Sequence, residues 1–178
     1  MRTIFNADVS NSTLKDVISE EQNKGRRTMS LVTLVVVAGF IIAALVGLFD
    51  REATRTAEAS GQSVEVEYQS VARAGNEVEL EIRVSSQNPL PKQLTVYLTE
   101  EYMKFFEDLA VFPDPESQTA DGEGTVAFTL SAPKNARETV IRITGRASDQ
   151  WDFHTPGIIQ VQSGLEKIEI PVVTWRVP

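Results

Sequence analysis

A single membrane-spanning helix followed by an all-β, immunoglobulin-like sandwich domain with one short inserted helix is the fold class this sequence predicts. Three observations carry it. Residues 29–49, MSLVTLVVVAGFIIAALVGLF, contain no charged side chain. Residues 63–178 alternate apolar and polar side chains at period two in short runs, the pattern of half-buried strands. Clusters of Gly, Pro, Asn and Asp separate those runs, as turns do. The chain thereby divides into a head (1–28), a transmembrane helix (29–49), a linker or helix extension (50–62) and one folded domain (63–178).

The head carries one candidate helix. Asn11, Ser12 and Thr13 are capping residues, and Thr13 with Asp16 makes a loose capping box. Leu14, Val17 and Ile18 follow on one helical face. So little apolar surface does not hold a helix alone, so Leu14, Val17 and Ile18 are expected to dock on the inner membrane surface or on a partner.

At about 1.5 Å per residue, the charge-free run spans roughly 31 Å, the hydrocarbon thickness of a bilayer. A cleaved secretory signal is the rival reading, with Lys24, Arg26 and Arg27 ahead of the run and Ala57-Glu58-Ala59 after it. The run is too long for that, and the stretch before it holds Asp8, Asp16, Glu20 and Glu21. The three basic residues next to Met29 put the N-terminus in the cytoplasm and residues 50–178 across the membrane. Cysteine is absent, so the outer domain holds together by its core, which suits a bacterial periplasmic domain. The expected location is a bacterial inner membrane, single-pass, with the C-terminal domain in the periplasm. Gly39, Ala43 and Gly47 recur every four residues, the spacing that lets two membrane helices approach closely, and they predict a packing face for a helix partner.

In the domain, Val64, Val66 and Tyr68 open the first strand, and Val78, Leu80, Ile82 and Val84 form the second. Further strands are expected at 93–98, 124–131, 138–145, 157–163 and 166–176, the last confined to an edge or bulge by Pro171. Between them, residues 99–109 read as the inserted helix, with Thr99 as its cap and Tyr102, Phe105, Phe106 and Leu109 on one face. These aromatics either plug an open end of the sandwich or stand exposed as a periplasmic docking patch.

The chain carries a formal charge of −8, and residues 1–28 carry five basic and four acidic side chains, leaving −9 for the outer domain. Such a surface serves solubility, and it also steers a basic partner. Without a basic patch interleaved with aromatics, nucleic acid is not an expected ligand. His154 is the only histidine and has neither a second His nor any Cys to complete a metal site. Asp114, Glu116, Asp121 and Glu123 lack the regular spacing of a calcium loop and read as a solvated turn. Phosphate loops, nucleophile elbows and zinc signatures are missing, so neither an enzyme nor a cofactor is expected.

Residues 64–68, Ser70-Val71-Ala72-Arg73-Ala74-Gly75 and Thr119-Ala120-Asp121-Gly122 give the outer domain a resemblance to bacterial single-span proteins with an extracytoplasmic β-sandwich. The layout of head, span and sandwich is also similar to accessory subunits of energy-converting membrane complexes, in particular of photosynthetic reaction centre–light-harvesting complexes. This resemblance implies a non-catalytic subunit that braces neighbouring subunits through its span and periplasmic domain. The anchor holds no His, so contacts with proteins and lipids are expected in place of pigment ligation. The alternative is a membrane-anchored acidic docking module for a basic soluble periplasmic partner such as a cytochrome.

Overall fold

The computed structural model describes residues 20–47, 51–122, 124–150 and 152–177. Leu14, Val17 and Ile18 lie outside these residues. The chain divides after Val46 into a helical unit and a β unit.

In the helical unit, α1 (Glu20–Leu45) starts ahead of the charge-free run, so Lys24, Arg26 and Arg27 belong to the helix. Its segment Lys24–Leu45 is long and apolar enough to cross a membrane. Two hydroxyls on this segment are satisfied within it: Thr28 Oγ1 donates to the Lys24 carbonyl and Thr33 Oγ1 to the Met29 carbonyl, both at 2.9 Å. Hydroxyls bonded back in this way carry little desolvation cost in hydrocarbon. The helix ends earlier than residue 49. Val46 N–H still reaches the Ile42 carbonyl at 3.0 Å, and Gly47 then turns left-handed at φ 72°. Glycine is the residue that ends helices in this conformation.

The β unit contains β1 (Arg51–Ala59), β2 (Gln62–Arg73), β3 (Glu77–Ser86), β4 (Gln93–Thr99), a one-turn α2 (Glu100–Met103), β5 (Phe106–Phe112), β6 (Ser117–Ala120), β7 (Thr125–Ser131), β8 (Glu138–Ala147), β9 (His154–Ser163) and β10 (Glu166–Val177). The hydrogen-bonded order is β5-β8-β3-β2-β10-β9-β4-β7-β6, with β1 added to β2. Every pairing is antiparallel except a short parallel contact of Trp175, Arg176 and Val177 with Val71, Ala72 and Arg73. One face of each long strand is buried. Val64, Val66 and Tyr68 of β2 join Leu80, Ile82 and Val84 of β3, Ile141 and Ile143 of β8, Leu94, Val96 and Leu98 of β4, Ile159 and Val161 of β9, and Ile168, Ile170 and Val172 of β10 in one cluster. The sheet therefore curls so that a common face closes on itself. Each fully buried Val, Leu or Ile there contributes about 1.5–3 kcal/mol relative to exposure.

Three expectations are corrected. Residues 51–59 are neither linker nor helix extension but the strand β1, paired with β2 from Arg51↔Val71 to Ala59↔Gln62. Ser60 and Gly61, at φ 50° and 79°, make the two-residue hairpin turn. Both central residues at positive φ are what the favoured right-twisted hairpin requires. The strand hides in the sequence because the inner face of β1 offers Ala53, Ala57 and Ala59, which pack against the cluster with a single methyl each, and is interrupted by exposed Arg55 opposite Val66.

Residues 99–109 form one helical turn, not three. Thr99 makes no side-chain cap; its Oγ1 accepts the Ile158 N–H at 3.3 Å instead. The chain then extends as β5 on β8, with an irregularity between Glu107 and Ala110 where Asp108 sits at φ 54°. Helical periodicity in this stretch came from three aromatics buried from both sides of a turn. The acidic stretch after Pro113 also holds the short edge strand β6, paired with β7. Pro171 sits where β10 is paired with β9 alone, because β2 takes up β10 only from Trp175 onward. A missing N–H costs no ladder bond on such an open edge.

Candidate interaction surfaces

The first surface is the helix. Its large side chains, among them Leu31, Leu34, Phe40 and Ile42, are exposed all round. Gly39 and Ala43 stay one turn apart on it, but Gly47 lies beyond the helix end in a turn. The expected three-residue packing row is therefore a two-residue one.

Tyr102, Phe105 and Phe106 are not an exposed docking patch. They are 1%, 2% and 8% exposed and pack on one another, with ring centroids 5.0–5.8 Å apart. Burial pushes the Tyr102 hydroxyl above its ordinary range. Its oxygen lies 3.2 Å from Thr174 Oγ1, which itself bonds the Gln69 carbonyl at 2.7 Å. Threonine has one hydroxyl proton, so Tyr102 donates to Thr174 and Thr174 to Gln69. This chain joins α2, β10 and β2. Gly157 allows the ring its place: a Cβ there would meet Tyr102 Cγ at 2.5 Å. The guanidinium of Arg176, itself buried, lies 5.7 Å from the Phe105 ring centroid.

Above this plug stands an aromatic group that sequence reasoning passed over. Phe153 and Trp175 are 62% and 47% exposed, with rings edge-to-face at 5.2 Å. His154 also stacks on Trp175, with ring centroids 5.6 Å apart. The strand register brings them together. His154 pairs with Trp175 across β9 and β10, and the Arg176 N–H donates to the Phe153 carbonyl at 3.1 Å. Pro156↔Val173 and Ile158↔Pro171 continue the same outward face. The signal was present as Phe153 and Trp175 flanking a hairpin, but only the register makes them neighbours. Val173, Pro171 and Trp175 also line a groove of ≈ 540 Å³ against Ala53, Arg55 and Ala57 of β1.

The third surface is acidic. Glu67 and Glu81 face each other across β2 and β3, while Glu81 also faces Arg142 on β8. Arg142 Nε at 3.0 Å and Arg83 at 2.9 Å hold the Glu81 carboxyl below its ordinary range by hydrogen bonding. Glu67 is raised instead, by burial first and then by the negative charges of Glu52 and Glu81. In the acidic loop, Glu116 accepts bonds from Ser131 Oγ and Gln93 Nε2, which lower its carboxyl pKa, and Asp121 accepts the Thr125 N–H. Asp114 is exposed, and Glu123 lies outside the described residues.

No family model matches the chain, and no curated protein matches it. Among solved structures, it is similar to the chitin-binding domain of a hyperthermophilic chitinase from Pyrococcus furiosus, at 14% identity over 64% of this chain and 98% of that one, with a TM-score of 0.37. BslA, a bacterial hydrophobin, aligns at 10% identity over 71% of this chain and 98% of its own, also at 0.37. The collagen-binding domain of a Staphylococcus aureus adhesin aligns at 9% identity, over 71% and 97%, at 0.33. Likeness at this level carries no argument about this chain.

Proposed function

We propose that this protein is a non-catalytic accessory subunit of a multisubunit complex in a bacterial inner membrane. In this reading α1 anchors it, the N-terminus is cytoplasmic, and the β unit braces neighbouring subunits on the periplasmic side. The observation that carries the reading is the outer surface of residues 29–45 of α1, free of charge with no residue buried, ahead of a domain whose large exposed side chains include a packed aromatic pair. A helix apolar all round needs lipid or other helices around it. Lys24, Arg26 and Arg27 at its start support the orientation. The complex we favour is the photosynthetic reaction centre–light-harvesting type that the layout resembles. We read the domain as immunoglobulin-like, supported by the two strand groups β1-β2-β3-β8-β5 and β10-β9-β4-β7-β6 meeting at the short β2–β10 contact. Solubilising native membranes in mild detergent tests the main claim. The protein should migrate with partners, and a free 19.7 kDa monomer would overturn it.

A second reading is favoured by the acidic face. Burial first, and then the negative charges of Glu52 and Glu81, raise the Glu67 carboxyl, and a cationic partner would relieve the charge repulsion. A docking module for a basic soluble protein such as a cytochrome would then lose affinity steeply with salt. Binding that stays level from low to high ionic strength would remove this reading.

A further inference from the structure

We propose that the Phe153–Trp175 corner of the β unit docks into the headgroup layer of the bilayer that α1 crosses. The inference rests on the reading of α1 as a membrane span. Two measures of reach support it, irrespective of any arrangement of the two units. α1 ends at Leu45 and β1 begins at Arg51, so six residues of covalent reach keep Arg51 within about 22 Å of the helix end. Arg51 and Trp175 both pair with Val71, so at most two interstrand spacings, about 10 Å, separate their backbones. The corner thus lies beside the strand by which the β unit follows α1 in the chain.

Its chemistry fits that layer. Trp and Phe with an imidazole stacked alongside present apolar faces with polar N–H groups, the combination that settles between acyl chains and water. Exposed Arg51 and Arg73 lie nearby on β1 and β2, where lipid phosphates would meet them, while Asp152 and Glu52 keep the corner from being a general anion site. At the opposite end of the β9–β10 hairpin stands Leu165, fully exposed.

Because the chain has no cysteine, nitroxide labels can be placed one at a time in the full-length protein, reconstituted in vesicles of phosphatidylcholine and phosphatidylglycerol. Phe153→Cys should collide with dissolved oxygen several-fold more, relative to a water-soluble nickel chelate, than Leu165→Cys does. Equal exposure to the chelate at both positions would overturn the proposal, as would immobilisation of the Phe153→Cys label only in native membranes, which would assign the corner to a protein partner. Val37→Cys keeps this failure distinct from failure of the anchor. A lipid-exposed label at 37 with an aqueous one at 153 sinks the docking alone, and an aqueous label at 37 sinks the span. Should Phe153→Cys not fold, doxyl-labelled lipid in a Trp151→Phe background reads the same depth: strong quenching of Trp175 supports the docking, and its absence overturns it.

Discussion

Replacing Thr174 by Val keeps the shape of a side chain that is 0% exposed and removes both hydrogen bonds of the Tyr102–Thr174–Gln69 chain. Tyr102, 1% exposed, is left with a buried hydroxyl and no acceptor, and the Gln69 carbonyl loses its donor. A buried polar group stranded in this way costs about 1–3 kcal/mol, so Thr174→Val is expected to cost about 2–4 kcal/mol. Tyr102→Phe is milder, about 1 kcal/mol, because Thr174 keeps its bond to Gln69. In the double variant there is no phenolic hydroxyl left to strand, so its cost falls below the sum of the singles by about 1 kcal/mol or more. Urea titration of the full-length protein in mild detergent, followed by near-ultraviolet circular dichroism, reads the difference. With a slope of about 2 kcal/mol per molar, a loss of about 3 kcal/mol moves the midpoint by about 1.5 M. Costs that add to within about 0.5 kcal/mol would refute the reasoning, since independent sites behave that way and a shared bond does not.

Gly157→Ala places a methyl 2.5 Å from Tyr102 Cγ, and the ring has the Phe105 and Phe106 rings around it. Thermal unfolding should show a loss of about 3 kcal/mol, beyond what a β-strand glycine replaced by alanine would otherwise change. Glu81→Gln and Glu67→Gln should move stability in opposite directions. The Glu81 carboxyl is lowered in the folded state, so its contribution, about 0.5 kcal/mol for a half-exposed pair, is full above the ordinary carboxylate value and is lost below it, as the pH falls through the lowered folded-state value. Glu67 is raised, so its charge opposes folding at neutral pH, and Glu67→Gln should gain stability there with the gain disappearing in acid. Melting temperatures of both variants between pH 3 and 7 check the signs.

Strands with branched residues at alternate positions were legible in the sequence because their pattern and their burial coincide. Val64, Val66, Leu80, Ile82 and Val84 read as strand and are buried as strand. What escaped was decided by pairing across the sheet. β1 shows only alanines to the core, and its alternation becomes meaningful only when β2 is laid beside it. Residues 99–109 carry helical spacing in their aromatics, yet burial around Gly157 and the pairing of β5 with β8 outweigh so short a helix. At the end of α1, composition marked the apolar helix but not its limit, because Gly47 looks like a packing residue until its left-handed conformation is seen.

The same contrast bears on the interaction surfaces. Tyr102, Phe105 and Phe106 drew attention as a run of aromatics, and the fold uses them as a plug. Phe153 and Trp175, more than twenty residues apart, drew none, and the fold places them side by side at the surface. The two groups are coupled. Thr174, which holds Tyr102, precedes Trp175 on β10, and Arg176, which follows it, lies over Phe105 and donates its N–H to the Phe153 carbonyl. The buried plug thus fixes the backbone from which the exposed corner projects. A partner or a lipid layer gripping Phe153 and Trp175 would meet a preordered surface and lose little entropy in binding it. Loosening the Tyr102–Thr174 contact should therefore mobilise the corner well before the domain unfolds.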